Sequence, residues 1–116
     1  MGLRHLAYLG DAVWELFVRE RTILQTANAG HLHKITTEKV KAGFQAELLE
    51  QLETVLTEDE KEIARRGRNL PIPVARRSNQ VEYRLATAFE TLIGWWYCYD
   101  KERLNFILQI LENHVK

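Results

Sequence analysis

The stretch of sequence that decides this fold reads Leu6-Ala7-Tyr8-Leu9-Gly10-Asp11-Ala12-Val13. Its apolar residues recur at spacings of three and four, which predicts an amphipathic helix running to about Leu24. Asp11 is the one acidic residue of the octet. Because a carboxylate is costly to desolvate alone, we expect a cation, a metal or a cluster of donors beside it. Gly10 indicates that another backbone or a ligand comes close at this point.

A second acidic residue, Glu90, stands in a similarly apolar stretch, residues 86–94. We expect both acids to be buried in separate helices and to meet at a shared site. Two nearby carboxylates repel each other unless a cation lies between them, and magnesium commonly binds one or two carboxylates together with water. Taken singly, an acid in this setting is more typical of a helix cap or an ion pair, with Arg19, Arg84 or a neighbouring amide as its partner.

The rest of the chain shows helical periodicity and no alternating strand pattern, so we predict an all-α fold in a single domain spanning residues 1–116. A loop containing Pro71 and Pro73 is expected over residues 69–78. The predicted segments after the first helix are a helical turn within 30–36, a helix from 38 to about 54, one from 58 to about 66 that stops near Gly67, one capped by Ser78 or Asn79, and one capped by Asp100.

Charge is distributed unevenly along a chain of zero formal net charge. The zero sum argues mildly against nonspecific nucleic-acid binding, but residues 61–84 are strongly basic, and a local patch attracts polyanions. Side chains of this kind either neutralise phosphates or form an ordinary solvated surface. The candidates for contact with nucleic-acid phosphates are Arg65, Arg66, Arg68, Asn69, Arg76, Arg77 and, more weakly, Lys34.

Several other classes of protein lose support. Cys98 is the single cysteine, which excludes an internal disulfide and a cysteine-based zinc site and favours a reducing, cytoplasmic setting. The sequence contains no run of about 18 apolar residues, so it predicts no membrane span. No signal peptide is evident. The histidines form no His-x-x-x-His or His-Asp pair, and no glycine-rich phosphate loop is present.

The stretch of residues 6–12 resembles the signature of the ribonuclease III family, and residues 86–94 resemble its second acidic segment. The chain is most similar to the small Mini-ribonuclease III branch, which lacks a double-stranded-RNA-binding domain. The further matches are residues 32–34, 45–47, 66–69 and 83–84. The larger enzymes of the family place four acids in the site, whereas Ala7 and Thr87 occupy two of those positions here. The Mini branch shares this reduced pattern and is active.

The resemblance implies a Mg²⁺-dependent endoribonuclease that cleaves double-stranded RNA and leaves 5′-phosphate products. Asp11 and Glu90 would be the catalytic and metal-binding residues, and the metal would activate water for attack on a phosphodiester. The implied assembly is a homodimer with Tyr8 near the two-fold interface. The implied substrate is the precursor of large-subunit (23S) ribosomal RNA, with a large-subunit ribosomal protein as a further partner.

Two hypotheses from other classes remain open at this stage. One is a catalytically silent dimer that binds ribosomal RNA structurally, which would need the basic residues but neither acid. The other is a helical, metal-dependent phosphohydrolase of small substrates, which would need the acids but not the arginines. Cleavage of a duplex RNA, and its dependence on the two acids, distinguishes all three.

Overall fold

The computed structural model describes residues 1–74 and 79–116, and within these ranges the chain forms six helices and no strand. The helices are α1 (Leu3–Thr22), α2 (Ala29–Val40), α3 (Ala42–Gln51), α4 (Glu58–Arg68), α5 (Gln80–Tyr99) and α6 (Lys101–Val115). The predicted all-α class is confirmed. None of the helices in the described ranges is both long and apolar enough to cross a lipid bilayer.

The longest helices, α1 and α5, form the centre of the fold, and α3 and α4 pack on α5. Trp14 and Trp96 are fully buried, and the Trp14 ring meets the edge of Phe89 with centroids 5.1 Å apart. Ile107 and Leu111 of α6 complete the same core. Burial of aromatic and aliphatic side chains of this size supplies most of the driving force for folding.

A pair of glycines allows α1 and α5 to touch backbone to backbone. A Cβ added at Gly10 would lie 1.8 Å from the carbonyl oxygen of Glu90 and 2.9 Å from the amide nitrogen of Gly94. No side chain fits in that space. The expectation that another backbone approaches Gly10 is therefore met by α5, and this contact places residue 11 beside residue 90.

The segment from residue 30 to residue 54 differs from the prediction. A single turn was expected near the start and one helix from 38 to about 54, but α2 already runs to Val40, and Lys41 is extended, with ψ 158°. The helix breaks because side chains bind the carbonyls freed there: the indole Nε1 of Trp14 donates to Lys39 O at 3.0 Å, and Gln45 Nε2 donates to Val40 O at 3.3 Å.

Helix α4 begins as predicted and ends later. Thr57 and Glu60 form a capping box, with Thr57 Oγ1 accepting from Glu60 N at 3.2 Å and Glu60 Oε1 accepting from Thr57 N at 2.8 Å. Gly67 does not stop the helix, which continues to Arg68. Instead this glycine is buried, and a Cβ there would lie 2.7 Å from Thr91 Oγ1, so its role is close packing of α4 on α5.

Candidate active site

The structure brings the two predicted acids together. Burial raises the pKa of Glu90 to about 8, and the nearby carboxyl group of Asp11 raises it further. The expectation that both acids are buried is wrong for Asp11, which is exposed, whereas Glu90 is partly buried. The pair therefore has one carboxyl group set into the protein and one open to solvent.

Gln45 of α3 is the third polar group at this place. Its side chain is only 1% exposed, and its Nε2 donates to Glu90 Oε2 at 3.4 Å. This contact opposes the effects of burial and of Asp11, because a donor stabilises the ionised carboxylate and lowers the pKa of Glu90. The site is thus built from three helices, α1, α3 and α5.

The two positions that carry acids in the larger enzymes add no charged group. Ala7 and Thr87 are both buried, and Thr87 Oγ1 donates to the carbonyl of Tyr83 on its own helix at 2.9 Å. Among the described residues, no three acidic, histidine or cysteine side chains cluster in a way that could hold a metal ion. The site in this part of the chain consists of the carboxyl pair and one amide.

This donor set fits a hard divalent cation. Carboxylate oxygens are the ligands that Mg²⁺ prefers, and it usually keeps several waters and adds substrate phosphate to one or two carboxylates. A cation would also offset the repulsion from Asp11, which adds to the effect of burial in raising the pKa of Glu90.

The cationic partners considered for Asp11 bind elsewhere. Arg19 Nη2 lies 2.7 Å from Glu15 Oε2, and Arg84 Nη1 donates to the carbonyl of Arg68 at 2.9 Å. An ion pair between Asp11 and either arginine is therefore not what the structure shows.

The basic residues of α4 divide between two sides of the helix. Arg65 and Arg68 line a groove of about 380 Å³ between α3, α4 and α5. Arg66 lies on the other side, where it lines a separate hollow with Trp95 and Tyr99. Arg65 is also engaged by Glu62, with Nε and Nη2 donating to its two oxygens at 2.9 and 2.6 Å.

The other predicted contact residues lie at the surface. Lys34 on α2, Asn69 after α4 and Tyr8 on α1 are exposed, Tyr8 by 84%. Arg76 and Arg77 fall outside the described residues. The RNA-contact roles and the place of Tyr8 in a dimer interface remain predictions.

Two side-chain contacts, one at the site and one on α1, were not predicted from the sequence. Gln45 lies in one of the short matches to the Mini branch, but a glutamine inside an apolar helix pattern does not by itself point to an acid on another helix. Arg4 Nη2 donates to the carbonyl of Pro71 at 2.8 Å and so ties the start of the loop after α4 to α1. No local pattern could have shown that long-range contact.

Comparison with known proteins agrees with this arrangement. The family described as the ribonuclease III domain matches residues 4–101. A crystal structure of a protein from Fusobacterium nucleatum has a TM-score of 0.82 to this chain at 31% identity, covering 98% of this chain and 94% of that one. The chain belongs to the ribonuclease III family of endoribonucleases.

Its relatives narrow the assignment to one branch. A protein named Mini-ribonuclease 3 from Gloeobacter violaceus is 46% identical over 112 residues, which are 97% of this chain and 83% of that protein. Another of that name from a Synechocystis species is 42% identical over 107 residues, 92% of this chain and 75% of that one. The predicted resemblance to the Mini-ribonuclease III branch is confirmed.

Proposed function

We propose that this chain is a Mg²⁺-dependent endoribonuclease that cleaves double-stranded RNA at a site formed by Asp11 and Glu90. The observation that carries the proposal is the carboxyl pair at the crossing of α1 and α5, where the pKa of Glu90 is raised to about 8 by burial and by Asp11. A structural contact between helices has no need of two adjacent acids, and placing them together costs stability unless a cation is bound.

The chain's own residues have separable tasks in this reaction. Asp11, at the surface, and Glu90, set deeper, would hold the cation from two helices whose spacing is fixed by Gly10 and Gly94. When bound, Mg²⁺ would stabilise the charge on the phosphate as a Lewis acid and would lower the pKa of a water molecule bound to it. The buried surroundings of Glu90 strengthen its electrostatic interactions relative to those of a carboxylate in bulk water.

Substrate contacts would come from exposed basic and amide side chains of α2, of α4 and of the residue after α4. An A-form duplex is recognised mainly through its shape, its phosphates and its 2′-hydroxyl groups. Arg65, Arg66, Arg68, Asn69 and Lys34 are exposed and suited to such contacts. Arg76 and Arg77 are proposed for the same task from the sequence.

A homodimer would place one site opposite each strand of the duplex. Tyr8 and Leu16 are large apolar side chains of α1 that are 84% and 60% exposed. Exposed apolar side chains of this size on one helix suit an isologous contact between two copies.

The finer assignments extend the resemblance to the Mini-ribonuclease III branch. We propose that the substrate is the precursor of 23S ribosomal RNA, that a large-subunit ribosomal protein assists, and that the reaction occurs in the cytoplasm and leaves 5′-phosphate ends. The names of the relatives support the enzyme class, and these details go beyond it.

The function is tested with the parent protein on four substrates of equal length: duplex RNA, each of its single strands, and duplex DNA. We expect Mg²⁺ to support cleavage of the duplex RNA alone, EDTA to stop it, and the product ends to be 5′-phosphates. Tight binding of the duplex without cleavage would favour the silent RNA-binding dimer instead. Hydrolysis of small phosphate esters without RNA cleavage would favour the phosphohydrolase.

A further inference from the structure

Gln45 carries a polar amide at a position of α3 that is buried in the core. It is 1% exposed, between the buried Ala46 and the partly buried Phe44. A buried amide that lacks hydrogen-bond partners is costly. Its Nε2 donates at 3.3 Å to Val40 O and at 3.4 Å to Glu90 Oε2.

The fold fixes the position of this amide before any ligand binds. The break between α2 and α3 frees the carbonyl of Val40, and Gln45 binds it from one turn into α3. The neighbouring carbonyl of Lys39 is bound by the indole of the fully buried Trp14. The amide is therefore held by main-chain geometry that the core determines.

The second amide hydrogen has a different acceptor. A glutamine Nε2 carries two hydrogens, and one is sufficient for Val40. The other is directed at Glu90 Oε2, on a helix 45 residues later in the chain. A side chain that only closed the helix break would need no contact with the acid.

We propose that Gln45 is a positioning residue, whose fixed amide orients the Glu90 carboxylate toward the divalent cation. This inference rests on the proposed function, because it takes Glu90 to be a metal ligand. Groups that orient metal ligands commonly change metal affinity by about 10- to 100-fold when removed. The 3.4 Å contact is long for a hydrogen bond to a carboxylate, so we expect the lower end of that range, about tenfold.

The test is a calorimetric titration of the RNA-free protein with Mg²⁺, comparing the parent with Gln45→Leu, Glu90→Gln and Thr22→Val. Thr22→Val is the matched control: Thr22 is fully buried and its Oγ1 shares a 2.8 Å hydrogen bond with Thr36 Oγ1 near the far end of α1. It removes a buried side-chain hydrogen bond without touching Glu90. A parallel cleavage assay measures the Mg²⁺ concentration at half-maximal rate and the rate at saturating Mg²⁺.

We expect Gln45→Leu to weaken Mg²⁺ binding about tenfold and to raise the half-maximal Mg²⁺ concentration by the same factor, with most of the rate restored at saturation. Thr22→Val should bind Mg²⁺ like the parent. If Gln45→Leu does not fold, Gln45→Met, which keeps the length of the side chain and removes the donor, is held to the same criterion.

Two results overturn the inference in different ways. Parent-like Mg²⁺ affinity in the Gln45 variant, combined with loss of binding in Glu90→Gln, would refute the role of Gln45 and leave the proposed function standing. Parent-like affinity in Glu90→Gln would refute the metal assignment itself and the role of Gln45 with it.

Discussion

Gly10 and Gly94 face each other where α1 crosses α5, and each leaves room for the backbone of the opposite helix. A Cβ at Gly94 would lie 1.9 Å from the carbonyl oxygen of Leu6, as one at Gly10 would lie 1.8 Å from that of Glu90. The contact is reciprocal, so neither position accepts a side chain unless the helices separate. It also sets the distance between the two acids of the site.

Gly10→Ala is accordingly expected to destabilise the protein by about 3 kcal/mol or more, because the methyl group would overlap main-chain atoms that cannot move alone. Gly43→Ala is the matched control: its Cβ would lie 3.5 Å from Glu82, an ordinary contact, and alanine favours the helix over glycine by up to about 1 kcal/mol. Urea denaturation of both variants measures the difference. Equal stability of the two would refute the close crossing.

Glu60 joins three elements and provides a second test of the fold. Its carboxylate accepts from Arg103 Nε and Nη2 and from Trp96 Nε1, each at 2.8 Å. Burial alone would raise the pKa of Glu60, but hydrogen bonds from Arg103, Thr57 N and Trp96 lower it to about 2. The folded protein thus releases a proton that the unfolded chain holds up to about pH 4.5.

Glu60→Gln should therefore cost on the order of 3 kcal/mol at pH 7, since each unit of pKa shift is worth about 1.4 kcal/mol. The stabilisation from Glu60 is present above pH 4.5 and is lost as the pH falls toward 2. Denaturation curves at pH 7 and pH 3 should show the difference between parent and variant shrinking. Glu62→Gln, which removes an exposed pair with Arg65 on the same helix, should change little at either pH.

Glu90→Gln should have the opposite effect on the metal-free protein. The raised pKa of Glu90, about 8, means that the folded protein keeps a proton that the unfolded chain releases above about pH 4.5. Stability from this source is complete below pH 4.5 and is lost as the pH rises through 8. We expect the variant to exceed the parent by on the order of 3 kcal/mol at pH 8 and to match it near pH 4.

Chemical denaturation in EDTA at the two pH values measures this effect. Glu47→Gln, which changes an exposed glutamate of α3, should show no such dependence. A Glu90→Gln protein that is no more stable than the parent at pH 8 would contradict the raised pKa of Glu90. It would mean that burial and the charge of Asp11 do not disfavour the ionised carboxylate.

Tyr8→Asp is expected to convert a dimer to a monomer, because it places a charge in the centre of the proposed apolar contact on α1. Sedimentation velocity on the parent and the variant measures the change. Phe106→Asp is the matched control, since Phe106 is another exposed aromatic side chain, 49% exposed, on α6. A monomeric parent, or a Tyr8→Asp protein that remains dimeric, would remove Tyr8 from the interface.

The general class and the pairing of the acids followed from local patterns. Helical periodicity around Leu6 and Phe17 is strong enough to predict α1, and the two acids in apolar settings predicted a shared site. The Thr57 capping box likewise predicts the start of α4, because both of its partners lie within four residues. The helix and its capping box depend on contacts that are close in sequence, whereas the pairing of the acids was inferred from two similar local settings.

What the sequence did not predict depends on contacts between distant segments. The spacing of Val40 and Phe44 is the same for one helix or two, and the break at Lys41 is determined by donors from Trp14 and Gln45. Similarly, Gly67 is typical of a helix end, yet here it is required by the nearness of Thr91. The exposure of Asp11 also depends on which side of α1 its neighbours cover.

The most direct test of the account is the single-turnover rate of duplex RNA cleavage in Mg²⁺. It compares the parent with Asp11→Asn, Glu90→Gln and the control Glu47→Gln. The protein concentration is kept above both the RNA concentration and the dissociation constant of the protein–RNA complex. That constant is measured separately in EDTA. The account predicts that Glu47→Gln cleaves like the parent, and that Asp11→Asn and Glu90→Gln bind RNA normally but cleave at least about 100-fold more slowly. Cleavage at the parental rate by either of these two variants would contradict it.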